Sequence, residues 1–331
     1  MGAATILIQP DTLPPLAREC VLAGHENTVM GISVGHDAAR VASIDYDGVW
    51  IVRDETTLLP VATQRMDGRG RGVALSPNGA RIAGLLALRD HSDTRYSYDV
   101  FVAEVTGGST TALFGERVRN VAWTPDSEHL VLTGVVGFRV HHHSGTRVRG
   151  DESPKGWMGA CVTADARCVY FIRRNQLGCL ELGTSRDLPA PDLSPFAPPS
   201  NSPGCDSDGL ALSRAADHLT TGRFGGGLYV WDLATANTIA ELRWEGPQIF
   251  RTKAVFAPDG ARLVASFHHV VTPHANGRVT HVLYDLRAQR IVGGIDTHTD
   301  LTGFHSMACF SADGHRLYVS EGHCIHVCDV A

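Results

Sequence analysis

A short turn phrase recurs seven times along the chain and constrains its fold more than any other feature. Most copies read small residue, Pro or Ala, Asp or Asn, small residue, and an apolar run follows. The third positions of the copies are Asp37, Asn78, Asp126, Asp165, Ala215, Asp259 and Asp313. They are separated by 41, 48, 39, 50, 44 and 54 residues. Self-similarity at such a period indicates a repeat architecture, in which each unit is one supersecondary structure.

Each copy of the phrase separates two runs that read as strands, as in residues 253–256 and 262–266. Pro-Asp-Gly favours a tight turn between extended segments, so every unit contains a hairpin. A third strand follows and ends in an acid, as at Asp54 and Asp232, and a more polar fourth strand comes next. Four antiparallel strands in roughly 40–50 residues are typical of a β-propeller blade. The sequence therefore predicts an all-β fold, a seven-bladed β-propeller of four-stranded antiparallel blades.

Three features of these units resemble the WD-repeat family. They are Gly24-His25 ahead of the first unit, the recurrent Pro-Asp-Gly turns and one intact Trp231-Asp232 dipeptide. The resemblance covers nearly the whole chain, although the dipeptide is replaced elsewhere, for example by Arg53-Asp54. The family's buried histidine-to-aspartate relay is expected in the first blade, through His25 and Asp47. Because members of the family mostly act as scaffolds, the resemblance implies an interaction module.

The two ends of the chain predict how the propeller closes. The sequence stops just after a third strand, residues 323–329, and residues 18–22 form an unassigned strand before the first unit. If these segments pair, no strand edge stays open. We therefore expect residues 16–331 to form a single seven-bladed β-propeller, closed by an N-terminal strand in the last blade. Residues 1–15 are an N-terminal extension, either a tail or, through residues 5–9, an extra edge strand.

Composition excludes several classes of protein. The net charge of -6 disfavours a general nucleic-acid binder, which needs clustered Lys and Arg to neutralise phosphates. No apolar stretch approaches the roughly 18 residues of a membrane helix, and the N-terminus lacks the basic start of a secretory signal. The eight cysteines form no Cys-x-x-Cys pair. We expect a cytoplasmic protein with reduced thiols, and neither nucleic acid nor membrane as a partner.

Long connections predict which face of the propeller carries function. In a WD-type propeller the fourth-to-first and second-to-third strand connections open on one face, the top face, and the others open on the bottom face. All the long connections of this chain map to the top face, where binding residues concentrate. The longest, residues 187–208, contains six prolines. It is either a passive surface loop or a lid or docking strap.

The upstream ends of the first strands are expected to meet at the top entrance of the central channel. The candidate binding residues there are Arg69, Arg71, Arg117, Arg119, Trp157, Phe250, Arg251, Phe304 and His305. Planar guanidinium groups suit bidentate capture of carboxylate or phosphate, so four arginines beside Trp157 predict an anionic ligand group. The alternative is that the arginines form weak surface ion pairs with acids such as Asp67 and Glu116.

The 17 histidines raise the question of a metal site. His268, His269, His274, His298 and His305 are expected at the top of the last two blades. Among them, His268, His274 and His305 are the candidate ligands of one transition metal ion, because neutral imidazole binds zinc, copper and iron. On the bottom face, His141 and His143 share a strand face about 7 Å apart and form an incomplete chelate.

Recognised catalytic arrangements do not occur in the sequence. There is no His-Glu-x-x-His, no Gly-x-Ser-x-Gly and no phosphate-binding Gly-Lys-Ser/Thr motif. The glycine-rich run at residues 68–72 leads into a strand, whereas a dinucleotide-binding fingerprint leads into a helix. The sequence therefore predicts a non-enzymatic scaffold without a cofactor, which binds a protein or peptide partner, or a small anionic ligand, on its top face. The alternative is a small-molecule or metal-binding propeller enzyme with a histidine-lined top entrance.

Overall fold

The computed structural model shows an all-β chain, a β-propeller with seven four-stranded antiparallel blades, as predicted. Sequence periodicity thus established both the fold class and the number of blades. The structure describes residues 4–87, 98–107, 110–134, 137–151, 157–163, 165, 167–173, 176–181, 187–188, 206–223, 226–247, 249–269, 277–299 and 307–330.

The strands follow one another in the order of the blades. β1 (Ala4–Ile8), one turn of 3₁₀ helix (Pro10–Thr12) and β2 (Ala17–Leu22) precede blade one. Blade one contains β3 (Val29–Gly35), β4 (Arg40–Asp45), β5 (Val49–Asp54) and β6 (Pro60–Arg65). Blade two contains β7 (Arg69–Leu75), β8 (Arg81–Ala87), β9 (Tyr98–Glu104) and the first part of β10 (Thr110–Trp123). Blade three contains the rest of β10, β11 (His129–Gly134), β12 (Gly137–His142) and β13 (Arg147–Asp151).

The later blades repeat this order. Blade four contains β14 (Trp157–Val162), β15 (Cys168–Arg173), β16 (Gln176–Glu181) and β17 (Asp187–Leu188). Blade five contains β18 (Asp206–Leu212), β19 (His218–Arg223), β20 (Gly227–Asp232) and β21 (Asn237–Trp244). Blade six contains β22 (Ile249–Phe256), β23 (Arg262–His269), β24 (Gly277–Asp285) and β25 (Arg290–Thr299). Blade seven contains β26 (Ala308–Phe310), β27 (Arg316–Glu321) and β28 (Cys324–Asp329), together with β2.

Every copy of the repeated phrase lies in the turn between the first and second strands of a blade. In blade two the Ser76 hydroxyl donates to the Asn78 side-chain oxygen at 2.8 Å, and the Arg81 N–H donates to the Ser76 hydroxyl at 2.9 Å. The same hydroxyl-to-acid contact recurs in Thr124–Asp126, Thr163–Asp165 and Ser311–Asp313. The Thr163 hydrogen bond lowers the pKa of Asp165, so this carboxylate is ionised at neutral pH. Side-chain hydrogen bonds therefore fix the hairpins of blades two, three, four and seven.

The last position of the phrase explains its preference for small residues. Gly79, Gly260 and Gly314 have φ between 66° and 76°, and Ser127 and Ala216 adopt similar values of 61° and 56°. This left-handed conformation is free for glycine and costs other residues energy. Backbone geometry therefore favours glycine here, and at Gly79 close side chains do so as well, since a Cβ atom would lie 2.6 Å from the Ala38 Cβ.

The N-terminal segment supplies strands to two sheets. β2 is hydrogen-bonded to β28 and forms the outer strand of blade seven, as predicted. β1 pairs in parallel with β21 and adds a fifth strand to blade five, with Ile6 opposite Leu242. Ile8 is fully buried in the core cluster of that sheet.

The first blade contains a buried relay, but its carboxylate differs from the predicted one. His25 Nδ1 lies 3.1 Å from Asp45 Oδ2, and His25 Nε2 lies 2.7 Å from the Ser43 hydroxyl. Ser43 and Asp45 are two residues apart on β4 and share a face. The prediction of Asp47 was wrong, because Asp47 lies in the following turn, where it accepts a hydrogen bond from Asn27.

The chain divides into two compact units, each with its own core. The first comprises residues 1–17 and 158–304, with blades four to six, and contains a cluster around Trp244, Phe267 and Tyr284. The second comprises residues 18–157 and 305–331, with blades one to three and seven, and contains clusters around Trp50 and Trp123. Among the described residues, no helix combines the length and apolar character that crossing a membrane requires.

Replacing Leu22 with Thr should detach β2 from blade seven. Leu22 is buried in the cluster with Tyr318 and Val327, whereas its neighbour Val21 is half exposed. Leu22→Thr removes buried apolar surface and buries a hydroxyl, so we expect a loss of about 2–4 kcal/mol in the free energy of unfolding. Val21→Thr keeps a β-branched side chain at an exposed site and should stay within about 0.5 kcal/mol of the parent. Urea unfolding measures both; equal effects would contradict the docking of β2 through Leu22.

Candidate functional site

The glycine-rich segment at residues 68–72 leads into β7 and lies against the β4–β5 turn of blade one. The Gly70 N–H donates to the Tyr46 carbonyl oxygen at 3.1 Å. A Cβ atom on Gly70 would lie 2.0 Å from the Asp45 carbonyl oxygen, so only glycine fits there. Because these glycines carry no side chain, the turn of blade one can pack closely against the segment. Arg69 and Arg71 lie beside that turn.

Arg69 and Arg71 lie beside the same aromatic ring. Their guanidinium carbons are 5.4 Å and 5.3 Å from the centroid of Tyr46, within the range of cation–π attraction. These two distances together limit the separation of the guanidinium carbons to about 11 Å. The structure therefore concentrates two positive charges at the top of blades one and two.

A β-bulge sets the position of Arg71. Gly70 lies opposite Leu86 and Gly72 lies opposite Leu85, so Arg71 is an extra residue in β7. β10 has a register shift at the corresponding place, between residues 118 and 120, which makes Arg119 the equivalent residue of blade three. Bulges of this kind re-aim a side chain and are common beside binding sites.

Among the described residues this arginine pair does not form the ion pairs of the predicted alternative, and the side chain of Glu116, one of the two acids named there, lies outside those residues. Within that part of the chain, neither Arg69 nor Arg71 contacts a carboxylate, and the buried Nε of Arg71 has no hydrogen-bond partner. The exposed Asp67 makes no ion pair with them. Two guanidinium groups without a described counter-ion form a surface suited to an anion.

The other predicted entrance residues are located only through their strands. Arg117 and Arg119 lie in β10, Trp157 begins β14, and Phe250 and Arg251 lie in β22. Of these, only the Arg251 side chain is described; it is half-buried, opposite His268. Phe304 and His305 lie outside the described residues, as do residues 189–205 of the proline-rich connection at 187–208. Convergence of the four arginines beside Trp157 therefore stays a prediction.

Three described histidines of blade six, His268, His269 and His281, are buried within its sheet, whereas His298 on β25 is exposed. His269 Nε2 lies 3.0 Å from the Thr280 hydroxyl, and His281 lies 2.8 Å from the Ser266 hydroxyl. Burial lowers the pKa of His269 to about 4, so its imidazole is neutral at pH 7. His268 is completely buried, whereas His274 and His305 lie outside the described residues. The predicted metal set at His268, His274 and His305 therefore stays untested.

On the bottom face, three side chains of blade three come together. Glu128 lies in the turn before β11, and His142 ends β12, opposite His129. The His143 N–H donates to the Glu128 carbonyl oxygen at 2.9 Å and so joins the two turns. The sequence pointed to His141 and His143, whereas the histidines that converge on Glu128 are His142 and His143, because strand alternation ends at His142, where the chain turns. The His141 Nδ1 atom instead lies 3.4 Å from the Gly145 carbonyl oxygen.

This cluster contains an acid that sequence reasoning missed. A hydrogen bond from Arg81 lowers the pKa of Glu128, and burial lowers the pKa of His143. At neutral pH the cluster therefore combines a carboxylate with a neutral imidazole. One sequence signal could have identified this acid: Glu128 directly follows the turn phrase of blade three, and the histidine run at residues 141–143 ends the second strand after it.

A cleft of about 550 Å³ lies between blades one and seven, and the residues that line it include Glu19, Glu55, Asp313 and Arg316. Glu55 is the most buried of its acids: its Oε2 accepts a hydrogen bond from the Ala312 N–H at 3.0 Å. Burial raises the pKa of Glu55 above its usual value. The cleft thus contains a carboxyl group whose ionisation opposes folding.

Comparison with known proteins adds no family to this description. No protein-family model matches the chain, and a search of curated proteins finds no match. The fold defines the class, a seven-bladed β-propeller, and the likeness to WD repeats remains a resemblance.

Glu55→Gln should remove a pH-dependent cost of folding. A raised native pKa means that the folded state binds the proton more tightly than the unfolded state, so wild-type stability falls as pH rises from about 4.5 through the native pKa. The amide keeps an acceptor for Ala312 but does not ionise. We expect Glu55→Gln to match the wild type near pH 4 and to exceed its melting temperature at pH 7, with exposed Glu26→Gln as the matched control. A wild type whose excess stability over Glu55→Gln grows with pH would contradict this account.

Proposed function

We propose that this β-propeller is a non-enzymatic interaction scaffold that binds an anionic group of a protein or peptide partner on its top face. The observation that carries the proposal is the pair Arg69 and Arg71 beside Tyr46, without a described counter-ion. Propellers commonly serve as interaction scaffolds, but a fold alone does not define a function. The proposal therefore rests on the chemistry of this arginine pair.

Electrostatics favours an anion at this pair. The chain has a net charge of -6, so a local cluster of two guanidinium groups differs in sign from the molecule as a whole. Arg71 is half-buried, which reduces screening of its charge by water. A carboxylate or phosphate can accept two parallel hydrogen bonds from one guanidinium and be attracted by the other.

A macromolecular partner suits this surface better than a free small anion. Arg69 is exposed, and Tyr46 offers part of an aromatic ring beside it, so the ligand contacts a surface and not an enclosed cavity. Aromatic and arginine side chains are the residues that concentrate binding energy in protein interfaces. By the predicted alignment, Arg117, Arg119 and Trp157 extend the same surface.

A double variant tests the arginine pair. The probe is a fluorescein-labelled peptide of glutamate and tyrosine, with its tyrosine-phosphorylated form as a second ligand. Loss of charge-assisted hydrogen bonds worth about 1.5–3 kcal/mol should weaken binding to Arg69→Gln/Arg71→Gln at least about tenfold. Wild-type affinity should fall with salt, because the Debye length shrinks from about 30 Å at 0.01 M to about 8 Å at 0.15 M ionic strength. Fluorescence polarisation measures both effects.

The matched control removes the same charge elsewhere. Arg287 and Arg290 are exposed at the β24–β25 turn, so Arg287→Gln/Arg290→Gln changes the net charge equally without touching the proposed surface. If both double variants lose affinity equally, binding depends on net charge and the proposal fails. Tyr46→Leu separates the ring from the charges: it should weaken the tyrosine-containing peptide more than an all-glutamate peptide.

A further inference from the structure

We infer that Glu128, His142 and His143 form a binding site for a divalent transition metal ion, with zinc as the preferred metal. The site lies on the bottom face of blade three, at the opposite strand ends from Arg69 and Arg71. It is independent of the proposed scaffold function and shares no residue with it. It also differs from the predicted top-face set, because none of its ligands belongs to that set.

The distances between the ligand atoms fit a metal ion. His142 Nε2 and His143 Nε2 lie 3.5 Å and 3.3 Å from the same Glu128 oxygen, Oε2. One ligand atom from each of the three residues lies within 4.8 Å of the other two. Zinc bonds of about 2.0–2.1 Å at tetrahedral angles place neighbouring ligand atoms about 3.3–3.4 Å apart. Two of the three distances between ligand atoms are therefore already close to those around a tetrahedrally coordinated zinc ion.

The three ligand atoms converge on one point. Two imidazole nitrogens approach the same carboxylate oxygen, Oε2, at 3.5 Å and 3.3 Å, at or beyond the long end of N–H···O hydrogen bonds. The other oxygen, Oε1, faces Arg81 at 3.3 Å. The convergence of the three atoms, and not the length of any one contact, therefore distinguishes this site.

Neighbouring groups orient the ligands. The His142 Nδ1 atom lies 2.7 Å from the Ser144 hydroxyl and accepts a hydrogen bond from the Ser144 N–H at 3.3 Å, so these contacts fix the orientation of the ring. The other Glu128 oxygen, Oε1, lies 3.3 Å from Arg81 Nη1. Arg81 thus holds the carboxylate by one oxygen while the other faces the two imidazoles. The His129 ring packs edge-on against His142, with centroids 5.5 Å apart.

The donor set selects the class of metal. Two imidazoles and one carboxylate suit zinc and other first-row divalent ions, whereas magnesium and calcium prefer oxygen ligands. The three side chains are 22–44% exposed, so water can reach the site. Three protein ligands leave a fourth position for water or for a side chain of a bound protein. The site can therefore act either as a reactive metal centre or as a metal bridge to a partner.

Metal titration of the full chain tests the inference. Protein stripped with a chelator is titrated with Zn²⁺ by calorimetry, and with Co²⁺ by absorption spectroscopy. We expect one zinc equivalent that is lost from His142→Ala/His143→Ala, and affinity in Glu128→Gln reduced by at least the roughly 10–100-fold that loss of a supporting residue costs. Bound Co²⁺ should show visible d–d bands without a thiolate charge-transfer band, which excludes binding by the eight cysteines.

The neighbouring histidine provides the matched control. His141 belongs to the same run but contacts the Gly145 carbonyl and not Glu128, so His141→Ala should bind zinc as the wild type does. Zinc should also raise the melting temperature of the wild type and of His141→Ala, but not that of the double variant. The inference is overturned if the double variant binds zinc as tightly as the wild type. It is also overturned if His141→Ala loses as much affinity as His142→Ala.

Discussion

The hydrogen-bonded turn between the first and second strands is the constraint on which the rest of the structure depends. A serine or threonine hydroxyl and an acid two residues later bind each other and the returning strand, as at Ser311 and Asp313, and a left-handed residue completes the reversal. Because the turn fixes where the hairpin reverses, it also fixes strand register, and a slip by one residue would move every core side chain to the opposite face. Variants of this turn recur in all seven blades, and four of them contain the hydroxyl contact, at Ser76, Thr124, Thr163 and Ser311.

The sequence predicted what depends on local chemistry and missed what depends on tertiary contact. The turn phrase identified the first two strands of every blade, and the unassigned strand at residues 18–22 identified the partner of β28. The relay acid was misplaced because strand alternation on β4, and not proximity in sequence to a turn, decides which aspartate is buried beside His25. Glu128 was missed because its partners come from a different strand, and no local pattern reports that meeting.

The two candidate surfaces show how one scaffold separates different chemistries. At one end of the strands, glycines bring the blade-one turn close enough for Tyr46 to lie between blades beside two arginines. At the other end, a turn and a strand terminus bring a carboxylate and two imidazoles together. In both places the charged and metal-binding groups lie where strands begin or end, because side chains within the strands pack between blades.

β10 differs from all other strands of the chain that the structure describes, because it runs through two blades without interruption. Its 14 residues pair with β9 at one end and with β11 at the other, so blades two and three share one seven-stranded sheet. Between blades one and two, by contrast, residues 66–68 separate β6 from β7. Connections outside strands can change in length with less effect on their neighbours. Between blades two and three the connection is part of a strand, and only its irregular stretch between Leu113 and Val118 could take up an added or lost residue without shifting the pairing with β9 or β11. Any circular permutation of this protein should therefore avoid this junction, because new termini there would cut a strand that both blades share.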